Sequence, residues 1–229
     1  MNETKVIAHR GYSKIATENT IGSFLLAAKQ DYFYGVELDI HLTKDNKYVV
    51  FHDDTTGRLA EVDVAIKDKT YDELKDIDLY NKRNEKYELK IPLLSEVLDL
   101  MKKNNKHTII EIKPELNEQQ ITELLSYLYL NEYKDITIIS FRLVNLVLIR
   151  KYNKKINLQY LTSKHRNINF LILERYKLGY DIQFPIATKD NVKYLKDNKI
   201  PINVWTVNKK EVFDKMVSMN VDFITTDGF

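Results

Sequence analysis

A barrel of eight parallel strands wrapped in helices is the fold this sequence predicts, and three observations predict it. From residue 107 onward, short β-rich apolar runs alternate regularly with segments of helical period. Two earlier strand-like runs, 5–8 and 35–43, bring the number of βα-type strands to eight. The length, 229 residues, suits a (β/α)8 barrel built as one unit. Periodicity does not decide closure, so a doubly wound open sheet shares this signature, although no Gly-x-Gly-x-x-Gly fingerprint supports it.

Each element has a local reason. Lys5-Val6-Ile7-Ala8 opens as a strand, and Asn19-Thr20 caps an amphipathic helix in which Ile21, Phe24, Leu25 and Ala28 recur at helical spacing. Residues 35–43 alternate apolar and polar after Gly35, which opens the strand without bulk; Lys44-Asp45-Asn46-Lys47 reads as a turn, and 48–51 as a return arm. With Asp45-Asn46 as a two-residue loop, Lys44 pairs with Lys47, Thr43 with Tyr48, and Asp39 with His52. Residues 54–92 are polar and mixed, with a helical stretch at 70–77 in which Thr70 and Glu73 have capping-box spacing. Pro92 leads into a helix at 93–101. Strands follow at 108–112, 136–140, 157–161, 181–184, 202–207 and 222–225, separated by helices at 118–130, 143–152, 170–177, 191–197 and 210–219. With no repeats, low-complexity tracts or linkers, the chain is expected to be one domain over 1–229, carrying a hairpin extension after strand two and a small insertion at 54–92.

Composition narrows the function. The 35 basic and 33 acidic residues are spread along the chain for a net charge of +2, which leaves no nucleic-acid or membrane-surface footprint. No cysteine is present, so disulfides and thiolate metal sites are excluded. No apolar run approaches membrane-spanning length, and the opening strand leaves no room for a signal peptide, so a soluble, cytoplasmic protein is expected.

In a barrel, the C-terminal strand ends face the active site. His9 and Arg10 follow strand one, Glu37 and Asp39 lie on one face of strand two, and Glu111 and Lys113 end the strand at 108–112. An isolated Glu-x-Asp reads as a solvated face, and Glu111 with Lys113 alone reads as a surface pair. Acids on an interior strand face, however, cost free energy unless paired or metal-bound. Three carboxylates without cysteine, and without a two-histidine zinc spacing, favour a hard divalent ion, Mg²⁺ or Ca²⁺. Arg10 and Lys113 are donors suited to a phosphate. His9 and His52 have a proton-transfer role open to them, as phosphodiester cleavage near neutral pH requires. His41 has the right parity but flanks the site, and His107 and His165 read as surface or core residues.

These stretches carry a resemblance. Ala8-His9-Arg10-Gly11, Glu18-Asn19-Thr20, Glu37-Leu38-Asp39-Ile40-His41, the 49–53 run ending in His52-Asp53, Glu111-Ile112-Lys113, Val204-Trp205-Thr206-Val207-Asn208 and the 222–227 segment occur in one order along the chain. In that order they resemble the bacterial glycerophosphodiester phosphodiesterase family of phospholipase C-like enzymes. The resemblance implies a TIM barrel and metal-dependent hydrolysis of a small-molecule glycerophosphodiester to glycerol 3-phosphate and an alcohol. It implies His9 and His52 as the acid/base pair, Glu37, Asp39 and Glu111 as ligands of one Mg²⁺ or Ca²⁺, and Arg10 and Lys113 as phosphate-binding residues. Glu18 matches a position near the metal, where a capping role is an equal alternative. Trp205 matches an aromatic at the pocket mouth, against its alternative as a core strand residue. In related barrels a neighbouring hydroxyl attacks phosphorus first, which makes the glycerol 2-hydroxyl a candidate nucleophile.

The sequence departs from the family pattern at Thr17, Thr56, Ala60 and the ending Gly228-Phe229, positions that bear on loops more than on chemistry. Two other readings stay open: a lysophospholipase D-like hydrolase, disfavoured by the lack of a long apolar loop, and a non-catalytic phosphodiester-binding barrel. Head group, metal and oligomeric state are not specified by the sequence.

Overall fold

The computed structural model describes residues 4–81, 83, 85–163 and 170–229. In chain order the elements are β1 (Lys5–His9), α1 (Ile21–Ala28), β2 (Gly35–Leu42), β3 (Tyr48–Val50), α2 (Tyr71–Leu74), α3 (Leu94–Lys103), β4 (His107–Ile112), α4 (Glu118–Leu130), β5 (Ile136–Ser140) and α5 (Leu143–Tyr152). They continue with β6 (Asn157–Thr162), α6 (Phe170–Tyr176), β7 (Gly179–Gln183), α7 (Lys189–Asp197), β8 (Ile202–Trp205), α8 (Lys210–Ser218) and β9 (Phe223–Thr226). The strands run β1-β9-β8-β7-β6-β5-β4-β2-β3. Parallel pairing of β1 with β2 closes eight of them into a ring, which removes the open-sheet alternative, and β3 hangs antiparallel outside it.

Among the described residues, three apolar clusters hold this arrangement. The largest lies between barrel and helices, where Val36, Leu38, Ile40, Ile110, Ile138 and Val204 meet apolar helix faces such as Val97, Leu98 and Met101 of α3. Inside the barrel, Ile7, Ile109, Ile139 and Leu161 pack with Trp205 and Phe223. The third cluster belongs to the 54–92 stretch, whose Ala60, Ile66, Leu74, Leu79, Leu89 and Ile91 pack on Val49 and Phe51. That packing anchors the segment that presents His52. Thr20 caps α1 by accepting from the Ser23 amide, and Thr70 caps α2 in a capping box with Glu73. The helix expected over 70–77 is thus a single turn ending at Leu74.

The hairpin register differs from expectation by one residue. Leu42 pairs with Tyr48, His41 with Val49 and Ile40 with Val50. The loop has three residues, Lys44 to Asn46, with Asn46 at φ 59°. Thr43 closes it: its amide donates to Lys47 O at 2.9 Å, and its Oγ1 accepts from the Lys47 amide at 2.9 Å while donating to Asp45 Oδ1 at 2.7 Å. A three-residue loop ending in a left-handed residue is a standard alternative to the two-residue turn. Asp39 O consequently accepts from the Phe51 amide, at 3.0 Å, and His52 lies past the ladder rather than opposite Asp39.

Candidate active site

The carboxylates expected on strand faces do converge. Asp39 and Glu111 are direct partners across the β2–β4 ladder, and Glu37 partners His9 across β1–β2. Glu37, Asp39 and Glu111 are all buried and offer oxygens within 4.8 Å of one another. Arg10, at φ 57°, turns the chain after β1 so that its backbone amide donates to Glu37 Oε2 (3.1 Å) while its Nε lies 3.3 Å from Asp39 Oδ2. Lys113 Nζ lies 3.0 Å from Glu111 Oε1 and 3.4 Å from Asp39 Oδ1. Asn19 Nδ2 donates to Asp39 Oδ2 at 2.9 Å.

Burial and mutual repulsion act on these acids in different directions. Glu37 and Glu111 are pushed up, by burial first and then by the neighbouring carboxylates. Burial also opposes ionisation of Asp39, but Lys113, Arg10 and His52 outweigh it and hold the group well below the usual carboxylate range. The cluster therefore holds more acid than Arg10 and Lys113 neutralise. Three hard oxygen donors whose joint ionisation is opposed by burial and mutual repulsion fit a divalent cation of the Mg²⁺ or Ca²⁺ type, which would offset both.

Both histidines are oriented by an acid. His9 Nδ1–H donates to Asp227 Oδ1 at 2.7 Å, and Asp227 is held in turn by Ser13 Oγ (3.1 Å) and Asn208 Nδ2 (2.5 Å). His52 Nδ1–H donates to Asp53 Oδ1 at 2.6 Å, and Arg58 Nε donates to Asp53 Oδ2. Burial opposes ionisation of both acids, yet Asp53 is held low by Arg58 and His52, and Asp227 by His9. As carboxylates they only accept, so each ring nitrogen facing them carries the proton and Nε2 is left for a ligand. The Nε2 of His9 lies 3.9 Å from Glu37 Oε2. Burial, joined by Arg10 and Lys113, lowers the affinity of His52 for a second proton against the pull of Asp39 and Asp53.

His9, Arg10, Glu37, His52, Glu111 and Lys113 line one side of a cavity of ≈ 120 Å³. The far side is formed by Ile139, Phe141, Leu161 and Trp205, whose ring meets Phe141 edge-on at 5.9 Å. Glu18 binds Arg10 Nη1 (2.8 Å) and both terminal nitrogens of Arg58 (2.6 and 3.1 Å). The cap of α1 is supplied by Thr20 instead. His41 stands beside the site, its Nε2 bonded to His52 O at 3.1 Å. His107 is buried at the start of β4 with Nε2 3.0 Å from Thr137 Oγ1. His165 lies outside the described residues.

Sequence assigns no site role to Asp227, Asp53, Asn208 or Asn19, although all four fall within the stretches that carry the resemblance, and none to Arg58, which lies outside them. Asp53 had a signal in its adjacency to His52. Arg58 had none, because it lies in an irregular segment without a period to place it.

The chain matches the glycerophosphoryl diester phosphodiesterase family over residues 9–229. A glycerophosphodiester phosphodiesterase of Caldanaerobacter subterraneus is 34% identical over 235 residues, covering 98% of this chain and 94% of the relative. One from Bacillus altitudinis is 32% identical, with 98% and 94% covered. Among solved structures, an Oleispira antarctica phosphodiesterase in complex with the product sn-glycerol-3-phosphate superimposes with a TM-score of 0.90 at 27% identity, covering 98% of this chain and 93% of that one. A Parabacteroides distasonis glycerophosphodiester phosphodiesterase gives a TM-score of 0.80 at 32% identity, with 99% and 93% covered. The chain belongs to the glycerophosphoryl diester phosphodiesterase family and is a phosphodiesterase of that family.

Proposed function

We propose that this protein hydrolyses glycerophosphodiesters to glycerol 3-phosphate and an alcohol, with one divalent cation, Mg²⁺ or Ca²⁺, held by Glu37, Asp39 and Glu111. The observation that carries this reading is the convergence on one cavity of two carboxylate-oriented histidines, two phosphate-type cations and a cluster of three acids that reaches the cavity through Glu37 and Glu111. When bound, the cation supplies Lewis-acid stabilisation of charge on the phosphate.

The remaining steps belong to side chains. Arg10 and Lys113 orient the phosphodiester and offset the charge that grows on its oxygens. Of His9 and His52, the one deprotonated at Nε2 removes the proton of the attacking hydroxyl, either the glycerol 2-hydroxyl or water. The other, protonated at Nε2, gives that proton to the departing alcohol as its P–O bond breaks. If the 2-hydroxyl attacks first, water then opens the cyclic phosphate, with the roles of the histidines exchanged. Asp227 and Asp53 fix tautomer and ring orientation through both transfers. The chain acts as one barrel domain in which 54–92 is an insertion that supports His52 and Arg58.

Turnover against choline, ethanolamine, glycerol and inositol glycerophosphodiesters, with Mg²⁺ and Ca²⁺ separately, tests the reading. Affinity without turnover would mark a binding barrel, and turnover only of acylated substrates a lysophospholipase D-like enzyme. Among the described residues no helix is long and apolar enough to cross a membrane.

A further inference from the structure

The far side of the cavity is not wholly apolar. Asp181, on β7, lines it and is 1% exposed. Its Oδ2 accepts from Asn203 Nδ2 at 3.1 Å, and Asn203 Oδ1 accepts from Thr225 Oγ1 at 3.1 Å. Among the described residues, Asp181 Oδ1 is buried with no hydrogen-bond partner, and so is Trp205 Nε1, on the neighbouring strand. Asp181 pairs with Asn203, two residues before Trp205. Strand rise and spacing then put the Asp181 and Trp205 backbones about 8 Å apart on one face of the sheet. Two unsatisfied polar atoms in one cavity wall are uncommon, because each forfeits a hydrogen bond it had in water.

We propose that Asp181 Oδ1 and the Trp205 indole N–H form a hydroxyl-recognition subsite, making Asp181 a specificity-determining residue for an uncharged alcohol group of the substrate. This rests on the phosphodiesterase reading above. A hydroxyl has two lone pairs and one proton, so it accepts from the indole and exchanges a hydrogen bond with the carboxyl, whereas a trimethylammonium or ammonium group cannot accept from the indole. Burial pushes the Asp181 carboxyl up to about 8 against the opposing Asn203 bond, so near neutral pH it donates as well as accepts. Two parts of the substrate carry such a hydroxyl: the glycerol end, shared by every glycerophosphodiester, and the leaving alcohol when it is itself a polyol.

Trp205 is the sole tryptophan, so its fluorescence reports occupancy without turnover. Glycerol and sn-glycerol 3-phosphate are titrated into wild type, Asp181→Ala and Asp181→Asn. The expected result is a Kd raised about three- to tenfold in the alanine variant for at least one of them, and restored to within about twofold by asparagine, which keeps a hydrogen-bonding side chain. In steady-state kinetics, Asp181→Ala and Trp205→Phe raise KM for glycerophosphoglycerol with kcat within about twofold. Equal rises for glycerophosphocholine place the glycerol end in the subsite; a rise confined to glycerophosphoglycerol places the leaving alcohol there. Unchanged Kd and KM in folded Asp181→Ala, with unchanged KM in Trp205→Phe, would overturn the proposal. If circular dichroism shows Asp181→Ala unfolded, Trp205→Phe, which removes the indole N–H and part of the ring while keeping an aromatic side chain, decides through KM. Wild type without turnover on any glycerophosphodiester would overturn the phosphodiesterase reading instead, and the glycerol titration would still judge the subsite.

Discussion

At the scale of single residues, the proposed site pairs each of two histidines with a carboxylate that fixes which ring nitrogen is free. His9 and His52 each spend Nδ1 on an acid and keep Nε2. Replacing either by alanine is expected to lower kcat about 10²–10⁴-fold with an unchanged circular dichroism spectrum, since neither packs in the core. Near-wild-type rates, or loss of fold, would remove that histidine from the chemistry. The histidines were legible because they follow strand-like runs directly. Their partners were less so: Asp227 lies more than two hundred residues from His9 in sequence, and only ring closure brings them together.

At the scale of elements, β2 is the strand on which the site depends, and it is unusually intolerant of bulk at its start. A Cβ at Gly35 would lie 2.2 Å from the carbonyl oxygen of His107, a backbone atom that cannot swing away. Gly35→Ala must therefore displace β2 against β4, with a cost of about 3 kcal/mol. Because Glu37 and Asp39 ride on β2 opposite Glu111 on β4, thermal melts and cation titrations of this variant should shift together. A wild-type melting temperature would contradict the close approach. The alternation of β2 was readable from its polar and apolar sequence. The hairpin register was not, because Thr43 closes a three-residue loop through its side chain, which a strand pattern does not encode.

His107, at the start of β4, gives a separate test of that element. Burial lowers it to about 4 from 6.5, with Asp135 opposing and Lys5 assisting. The folded state thus prefers the neutral ring, and the unfolded chain binds the extra proton more readily. The contribution to stability is complete above pH 6.5 and is lost as pH falls towards 4. Between pH 7 and pH 4 wild type should lose about 3 kcal/mol more than His107→Gln, measured by denaturant unfolding. Parallel stability curves for the two proteins would show that His107 titrates freely.

At the scale of the whole molecule, closure is what turns separate strand ends into one cavity. The eight-strand count and the order of elements were legible because each strand is short, apolar and followed by a helix of clear period. Closure itself was not, since a β1–β2 contact leaves no trace in local pattern. The same closure concentrates acid, so apo protein should be stabilised by cation. Adding Mg²⁺ or Ca²⁺ at one hundred times Kd to EDTA-treated protein should raise unfolding free energy by about 2.7 kcal/mol, and Asp39→Asn should abolish most of that gain. No thermal shift with either ion would remove the metal from the account.

The most direct test of the whole is the release of glycerol 3-phosphate from glycerophosphoglycerol, followed before EDTA treatment, after it, and after restoring Mg²⁺ or Ca²⁺. The site described here predicts many equivalents of glycerol 3-phosphate per enzyme, loss of release with EDTA, and recovery with at least one of the two ions. Release that persists undiminished in EDTA, or no glycerol 3-phosphate under any condition, would contradict metal-assisted glycerophosphodiester hydrolysis at this cavity.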